Sequence, residues 1–505
     1  MTATSAASAS PMKRLLAAVF VLNLIEFLQS GMVAFATVPL MGYLSASPEE
    51  YSVVTALYAA VAVTTTALGY TLLRRVGWRR YLLAGLAVFA LGAALCATSD
   101  DLWQFGCGRL LMAAGGGSFM TSARMLINVN PPSPQRIKGI AAFGGSLTAG
   151  LAAAPWLASM MVGADAWRGM FALFIELALL AAAVVAMLPF EREQTDGAAR
   201  IDWLGAAALA AGTFAVLYAL QRAIYDFHGE PLDVVVSLVA GMLLIAVFLW
   251  RQLRTPEPLL RIRGLLNARY GAGLLIFLLC YVVLGTTNTM LPLFVQRGLG
   301  VAWEVAGAAQ GAGLSSAMAA FVLLLTIVKR RPAARKFYVT AFAALAVCGL
   351  LLSDLSSAAN VWTDVVPALA CLGAFLILAL ATTALHAFRD LQHDEAAFFN
   401  GQQLKNMLSQ FGLGLGVALA NVGFQARATH HYAVLAERIA EGGTAFGTQL
   451  DQLATALGTP QLAMVQIAQQ VTQQATLVAS VEVFWLLMWF GVLGVAVMGL
   501  QRVFE

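Results

Sequence analysis

The sequence predicts an all-α polytopic membrane protein of 14 transmembrane helices: two six-helix bundles related by pseudo-two-fold symmetry, with two inserted linker helices between them. Three observations predict it. Hydrophobic residues make up 60% of the 505 positions and charged residues 11%, against about 45–50% and about 25% in soluble domains. Apolar stretches recur along the whole chain at lengths that meet the requirement of about 20 apolar residues per spanning helix. Lysine and arginine concentrate on alternate loops, as expected when positive loops resist translocation.

Spans 1 to 6 fall at 13–41, 51–73, 80–98, 102–127, 137–163 and 167–190. Each is an apolar run closed by turn or charged residues. Ser45 to Pro48 end the first, Arg74-Arg75 the second, Ser99-Asp100-Asp101 the third and Asn130-Pro131-Pro132 the fourth. Gly163-Ala164-Asp165 close the fifth, and the polar run Glu191 to Asp202 follows the sixth. Spans 7 and 8, at 203–223 and 232–251, precede a basic, proline-containing stretch and form the inserted pair. Spans 9 to 14 are at 268–295, 302–328, 335–353, 361–386, 396–425 and 479–500. The chain thus divides at 1–202, 203–262 and 263–505. The long segment 425–478 carries apolar residues at helical spacing, such as Tyr432, Leu435 and Ile439 or Leu450, Leu453 and Leu457. Gly442-Gly443 and Gly458-Thr459-Pro460 interrupt it, so two or three amphipathic helices are expected.

The alternation of basic loops places 23 of the 30 lysines and arginines on one side, including Lys13, Arg14, Arg74 to Arg80 and Arg251 to Arg269. Both termini are therefore expected in the cytoplasm, with the chain in a bacterial cytoplasmic (inner) membrane. A net charge of +4 is too small and scattered for a nucleic-acid surface. The five cysteines lie in apolar segments without a C-x-x-C pair, which argues against disulfides and metals. No glycine-rich phosphate loop followed by lysine occurs, so ATP-driven pumping is unsupported. The reading is of a protein that is not an enzyme, needs no cofactor and draws on a proton gradient.

Ionisable groups inside a span cost several kcal/mol and are functional candidates by default. Glu26 in span 1, Arg109 in span 4, Glu176 in span 6 and Lys405 in span 13 are the four. Two acids and two bases permit pairing, and a carboxylate whose cation partner withdraws inside a low-dielectric cavity takes up a proton. The alternatives are a static ion pair or side chains snorkelling to an interface. Phe27, Phe35, Met112, Phe119, Tyr281, Met290 and Phe411 are candidates to line an apolar substrate cavity, with ordinary helix packing as the alternative for each.

Several local patterns occur in a telling order. They are Gly77-Trp78-Arg79-Arg80 between spans 2 and 3, Arg109 with Gly115, Trp167-Arg168 with Phe171, and Asp202-Trp203-Leu204-Gly205. Pro292-Leu293-Phe294-Val295-Gln296 with Ala306-Gly307 follows, and then Glu482-Val483-Phe484-Trp485 after the long loop. In this order the chain resembles, almost end to end, the fourteen-spanner drug:proton antiporter branch of the major facilitator superfamily, the EmrB/QacA type. The resemblance implies a conformational motif at Arg74, Gly77, Arg79, Arg80 and Pro155.

Departures are also visible. Arg74 stands where the family usually has an aspartate, and Ala154-Pro155-Trp156-Leu157-Ala158 keeps the span 5 proline without its glycines. Ser30 stands at the span 1 acidic position and Ser409 at a span 13 basic position, while Glu26 and Lys405 each lie one helical turn earlier. The two charges are expected to have moved together toward the cytoplasm.

The leading functional expectation is an exporter that exchanges inward-moving protons for amphipathic or aromatic compounds, that is, multidrug efflux. Its partners would be membrane lipid, a small-molecule substrate and, as the resemblance implies for some relatives, a periplasmic adaptor of the membrane-fusion type docking on 425–478. Two alternatives stay open. One is export of a specific endogenous metabolite or lipid-like compound with altered or absent proton coupling. The other is a non-transporting membrane scaffold or sensor, against which four costly intramembrane charges argue.

Overall fold

In hydrocarbon every backbone amide must find its partner within the protein, so a long apolar segment is driven to helix. The computed structural model describes residues 3–128, 134–189, 200–226, 231–265, 267–330, 333–441 and 443–504, and the described residues form helices without strands. Fourteen helical stretches are long and apolar enough to cross a membrane. Spans 1 to 6 are Met12–Phe35, Pro48–Val76, Trp78–Ala97, Leu102–Asn128, Gln135–Gly163 and Arg168–Ala186. Spans 7 and 8 are Trp203–Ala223 and Leu232–Arg254. Spans 9 to 14 are Ala268–Gly298, Trp303–Val328, Ala334–Ser353, Val361–Leu391, Ala396–Ile439 and Pro460–Leu500. Much of the polar break after span 6, with Arg192, and the basic residue Arg331 lie outside the described residues, as does the side chain of Lys329.

Local chemistry sets the helix starts. Ser47 Oγ accepts from the Glu50 amide while Glu50 accepts from the Ser47 amide, with Pro48 in the first turn of span 2. Asp101 and Asn267 cap spans 4 and 9 by accepting from the amides of Gln104 and Tyr270, at 2.8 and 2.7 Å. Gly77 joins spans 2 and 3 at φ 84°, a left-handed conformation that glycine adopts without steric cost.

Packing relies on small residues that let helix backbones approach. Span 3 crosses span 4 where a methyl group on Gly92 would strike the Gly108 carbonyl, and span 5 meets span 1 where one on Gly150 would strike Phe27. Gly285 and Gly416 seat span 9 on span 13, and Gly349 and Gly491 seat span 11 on span 14. Spans 1–6 and 9–14 meet along two seams, span 5 against span 10 and span 2 against span 13. Span 7 packs on span 8 and also lies against spans 2 and 13, so the inserted helices flank the second seam. Span 8 turns Leu232, Val235, Val239, Met242 and Leu243 outward.

The segment 425–478 is helical and divides at the expected glycine and proline positions, but its first and last helices are continuous with spans 13 and 14. Span 13 belongs to one helix, Glu395–Glu441, of 47 residues, and span 14 to another, Pro460–Leu500, of 41 residues. At about 1.5 Å per residue these are ~70 and ~60 Å long, about twice a ~30 Å hydrocarbon core. The cause is local: neither glycine nor proline occurs between Gly423 and Glu441, or between Pro460 and Val478, so nothing stops either helix at the membrane surface. Gly443–Leu457 forms a third helix that packs on the extension of span 14. The face bearing this protrusion is opposite the terminal face, where both chain ends emerge.

Candidate functional site

Three cavities follow one another along the interface between the two helix sets. The central one, about 30 Å³, is lined by Glu26, Ser30, Pro155, Tyr281, Gln310 and Gln410 among others. The largest, about 330 Å³, extends toward the protrusion face between Tyr58, Arg109, Thr289, Arg297 and Asn421. The third, about 70 Å³, lies toward the terminal face and includes Arg124, Phe143, Phe277, Phe321 and Lys405. Ser30, Phe35, Gln410 and Leu413 line both the first and the second. Met120 and Tyr281 line both the first and the third, and the Tyr281 hydroxyl donates to Met120 Sδ at 3.8 Å. The cavities therefore form a chain separated by two necks of side chains.

Glu26 is at the centre and buried. Its Oε1 accepts from Gln410 Nε2 at 2.6 Å, while its other oxygen is buried without a hydrogen-bond partner. This bond crosses from span 1 to span 13. One turn along span 1, Gln29 accepts from Arg109 at 3.0 Å and donates to Tyr58 Oη at 2.5 Å. The Arg109 guanidinium also stacks over the Tyr58 ring, 4.1 Å from its centroid. Arg109 is thus fixed by uncharged partners rather than by the carboxylate.

Toward the terminal face the two sets are laced together. Gln403 donates to the carbonyls of Thr66 and Ala67 at 2.8 and 3.1 Å. Asn406 donates to Thr121 Oγ1 at 2.5 Å, and the Tyr70 and Phe399 rings lie 4.5 Å apart. The same region holds Lys405, whose ammonium sits 5.1 Å from the Phe277 ring centroid. The described residues are tied at this end and spaced around the largest cavity at the other.

Of the four ionisable candidates, Glu26, Arg109 and Lys405 line this chain of cavities, with no salt bridge among them. Glu176 is not brought to them. It is exposed on the outer side of span 6, next to Leu179 and Leu180 on the same helical face. Among the apolar candidates, Phe27, Phe35 and Tyr281 line cavities, and Met112 accepts a 3.8 Å hydrogen bond from Arg109. Phe119 instead packs on Phe89, Met290 is sealed in the core, and Phe411 packs on Ala56, Ala59 and Leu217. A helix turns only part of its circumference to a cavity, and these three point elsewhere.

The residues expected to form a conformational motif lie within the first helix set. Arg79 donates to the Leu188 carbonyl at 2.8 Å, which docks the Gly77 turn just past the end of span 6, and Arg14 of the first helix donates to the Met187 carbonyl at 3.2 Å. Arg74 lies 5.8 Å from the Tyr70 ring centroid, Arg80 is exposed, and Pro155 borders the central cavity. Residues not singled out from the sequence are as prominent: Gln29, Tyr58, Arg124, Gln403, Asn406 and Gln410. The spacing of Gln403, Asn406 and Gln410, three and four residues apart within an apolar stretch, marks one face of span 13 and carries the signal that could have found them.

The family model described as Major Facilitator Superfamily matches residues 19–417. A Cronobacter sakazakii protein named for multidrug resistance, MdtD, is 25% identical over 455 residues, 90% of this chain and 94% of that one. The multidrug resistance protein B homolog of Mycobacterium tuberculosis is 24% identical over 355 residues, 69% of this chain and 64% of that protein. The uncharacterised transporter YhcA of Bacillus subtilis is 27% identical over 229 residues, 45% of this chain, and the match spans 43% of its length. Among solved structures, a bacterial homolog of the human lysosomal transporter Spinster, inward-facing and occupied, superposes with a TM-score of 0.57 at 15% identity, covering 96% of each chain. The peptide transporter PepTSo gives 0.55 at 16% identity, covering 96% of this chain and 97% of that one. These structural likenesses concern the fold.

Proposed function

Because the chain belongs to the major facilitator superfamily, we propose that it exports amphipathic or aromatic compounds across a bacterial inner membrane in exchange for protons. The terminal face is then cytoplasmic, in keeping with its basic loops. The observation that carries the reading is the Glu26–Gln410 hydrogen bond, which links the two helix sets at the junction of the cavities while leaving one carboxylate oxygen unsatisfied. Glu26 carries the proton in this scheme. When residues 1–202 rock against 263–505, the Gln410 amide leaves the carboxylate, and protonation spares the cost of a bare charge in a water-poor cavity. Substrate and proton occupy the central path in alternate states.

The arrangement also favours alternating access. The cavity toward the protrusion face is the largest, and Gln403 and Asn406 close the opposite end. Relatives named for multidrug resistance support an efflux role. The helical protrusion, with Leu457, Leu462, Met464 and Val465 exposed, is the surface on which a periplasmic adaptor would dock. The test is a proton-gradient assay in everted vesicles with candidate drugs. Export by exchange requires drug-induced collapse of the imposed gradient, and collapse that persists unchanged in Glu26→Gln removes the carboxylate from the scheme.

A further inference from the structure

The charged groups on the path are strongly unequal. Among the described residues, the two larger cavities are lined by four cations, Arg109 and Arg297 on the protrusion side and Arg124 and Lys405 on the terminal side, and by no carboxylate. Glu26 is confined to the small central cavity. Neither Arg124 nor Lys405 makes a salt bridge among the described residues. Each faces an aromatic ring instead, Phe143 at 5.9 Å from the Arg124 guanidinium and Phe277 at 5.1 Å from the Lys405 ammonium.

A ring face offers a cation far less than a carboxylate does, so two positive charges in one cavity repel each other without compensation. Both would be stabilised by a single anionic group between them, and the gain is largest where water is scarce. Apart from Gln402 and the Tyr281 hydroxyl at the neck, the remaining wall is apolar, with Leu147, Phe321, Leu324 and Ile377 among it. An apolar cavity with a few convergent polar groups selects a ligand by the placement of those groups.

We propose that the substrate is an amphipathic organic anion, whose acidic group is held by Lys405 and Arg124 and whose aromatic or aliphatic body lies against Phe143, Phe277 and Phe321. This rests on the export reading and narrows its substrate class. From that site the anion passes the Met120–Tyr281 neck and reaches the second pair of cations, Arg109 and Arg297, in the cavity open toward the other face. Lys405 is not needed as a counter-ion to Glu26, because the two line different cavities. An anionic cargo also moves outward in the direction favoured by an inside-negative membrane potential.

The test uses the full-length protein in nanodiscs and saturable binding of radiolabelled 1-naphthoate, with 1-naphthylmethylammonium and 1-naphthylmethanol as cationic and neutral competitors of matched body. Unlabelled naphthoate should displace the label at concentrations at least tenfold lower than either competitor. Binding should weaken at least tenfold in Lys405→Gln and in Arg124→Gln, and should be restored toward wild type in Lys405→Arg. Size-exclusion profiles and circular dichroism establish that each variant is folded. Absence of saturable naphthoate binding, equal displacement by the cation, or unchanged binding in the folded Lys405→Gln/Arg124→Gln double variant would overturn the anion assignment. Drug-induced gradient collapse in vesicles reads the export scheme separately. A cationic compound that drives it, without naphthoate binding, sinks the substrate class and leaves the exporter standing.

Discussion

Glu26 and Gln410 stand 384 positions apart in the chain and are joined by a 2.6 Å hydrogen bond at the centre of the protein. The bond spans the boundary along which the two helix sets would have to part. Its geometry gives the first prediction. Glu26→Gln keeps the size and polarity of the side chain but not the titratable group, so drug-driven gradient collapse should disappear while the protein remains folded. Ser30→Ala, which removes only a hydroxyl on the cavity wall, should retain it.

A second prediction concerns the ties of span 13 to spans 2 and 4. Gln403→Ala and Asn406→Ala together remove three hydrogen bonds, each worth about 1 kcal/mol net. A loss of about 3 kcal/mol changes an equilibrium on the order of 100-fold. A cysteine introduced at Ala381, on the terminal-side cavity, should react with a soluble maleimide faster by that order in the double variant. Unchanged labelling would mean that the ties do not set the closed state.

Span 5 and span 10 meet too closely for side-chain growth at Gly307, where an added methyl group would strike Ser159 and the Pro155 carbonyl. Gly307→Ala should lower stability by about 1–3 kcal/mol, the usual range for overpacking, read as a fall in Tm in detergent. Gly145→Ala is the matched control, because an added methyl there meets nothing within 4 Å.

Asp202 anchors the inserted helices by accepting from Arg251 at 2.6 Å and from the Gly205 amide at 3.0 Å. Burial works against its charge, but these bonds prevail and hold its carboxyl below the usual range. A depressed folded value means that the stabilisation is complete above the unfolded value of about 4 and is lost as pH falls through the folded one. The Tm difference between wild type and Asp202→Asn should therefore be steady from pH 7 to pH 5 and shrink below pH 4. The stabilisation behind that difference should be no more than about 1 kcal/mol, since the pair is partly open to solvent.

The docking role proposed for the protrusion gives a further prediction. Replacing Gly443–Leu457 with a short glycine-serine linker should leave drug transport in isolated vesicles intact and lower resistance in whole cells. Equal loss in both settings would give the segment a structural role.

The spanning pattern was legible because it depends on composition alone: a run such as 361–386 has few ways to satisfy its backbone other than as a helix. Glu26, Arg109 and Lys405 were legible because charge inside an apolar run is costly and therefore conspicuous. What the sequence concealed was direction. Glu176 satisfies the same criterion as Glu26, yet its position on span 6 points it outward, and Phe411, unlike Phe35, is turned to spans 2 and 7 instead of a cavity. Gln410 and Arg124 were concealed for another reason, since the first carries no charge and the second lies near a helix end, where arginine is commonplace. The lengths of spans 13 and 14 were misjudged because hydropathy ends at the membrane surface, whereas helical hydrogen bonding continues.

That continuity has a mechanical result. Beyond Gln425 the helix of span 13 runs a further 16 residues to Glu441, about 24 Å at ~1.5 Å per residue. Arg427 on this stretch pairs with Glu482, midway along the helix of span 14, and His431 lies 3.1 Å from the same carboxylate, so the two shafts are tied to each other. A tilt of about 10° at the membrane would sweep the tip by roughly 4 Å over that arm, and anything seated there would register each turnover as displacement.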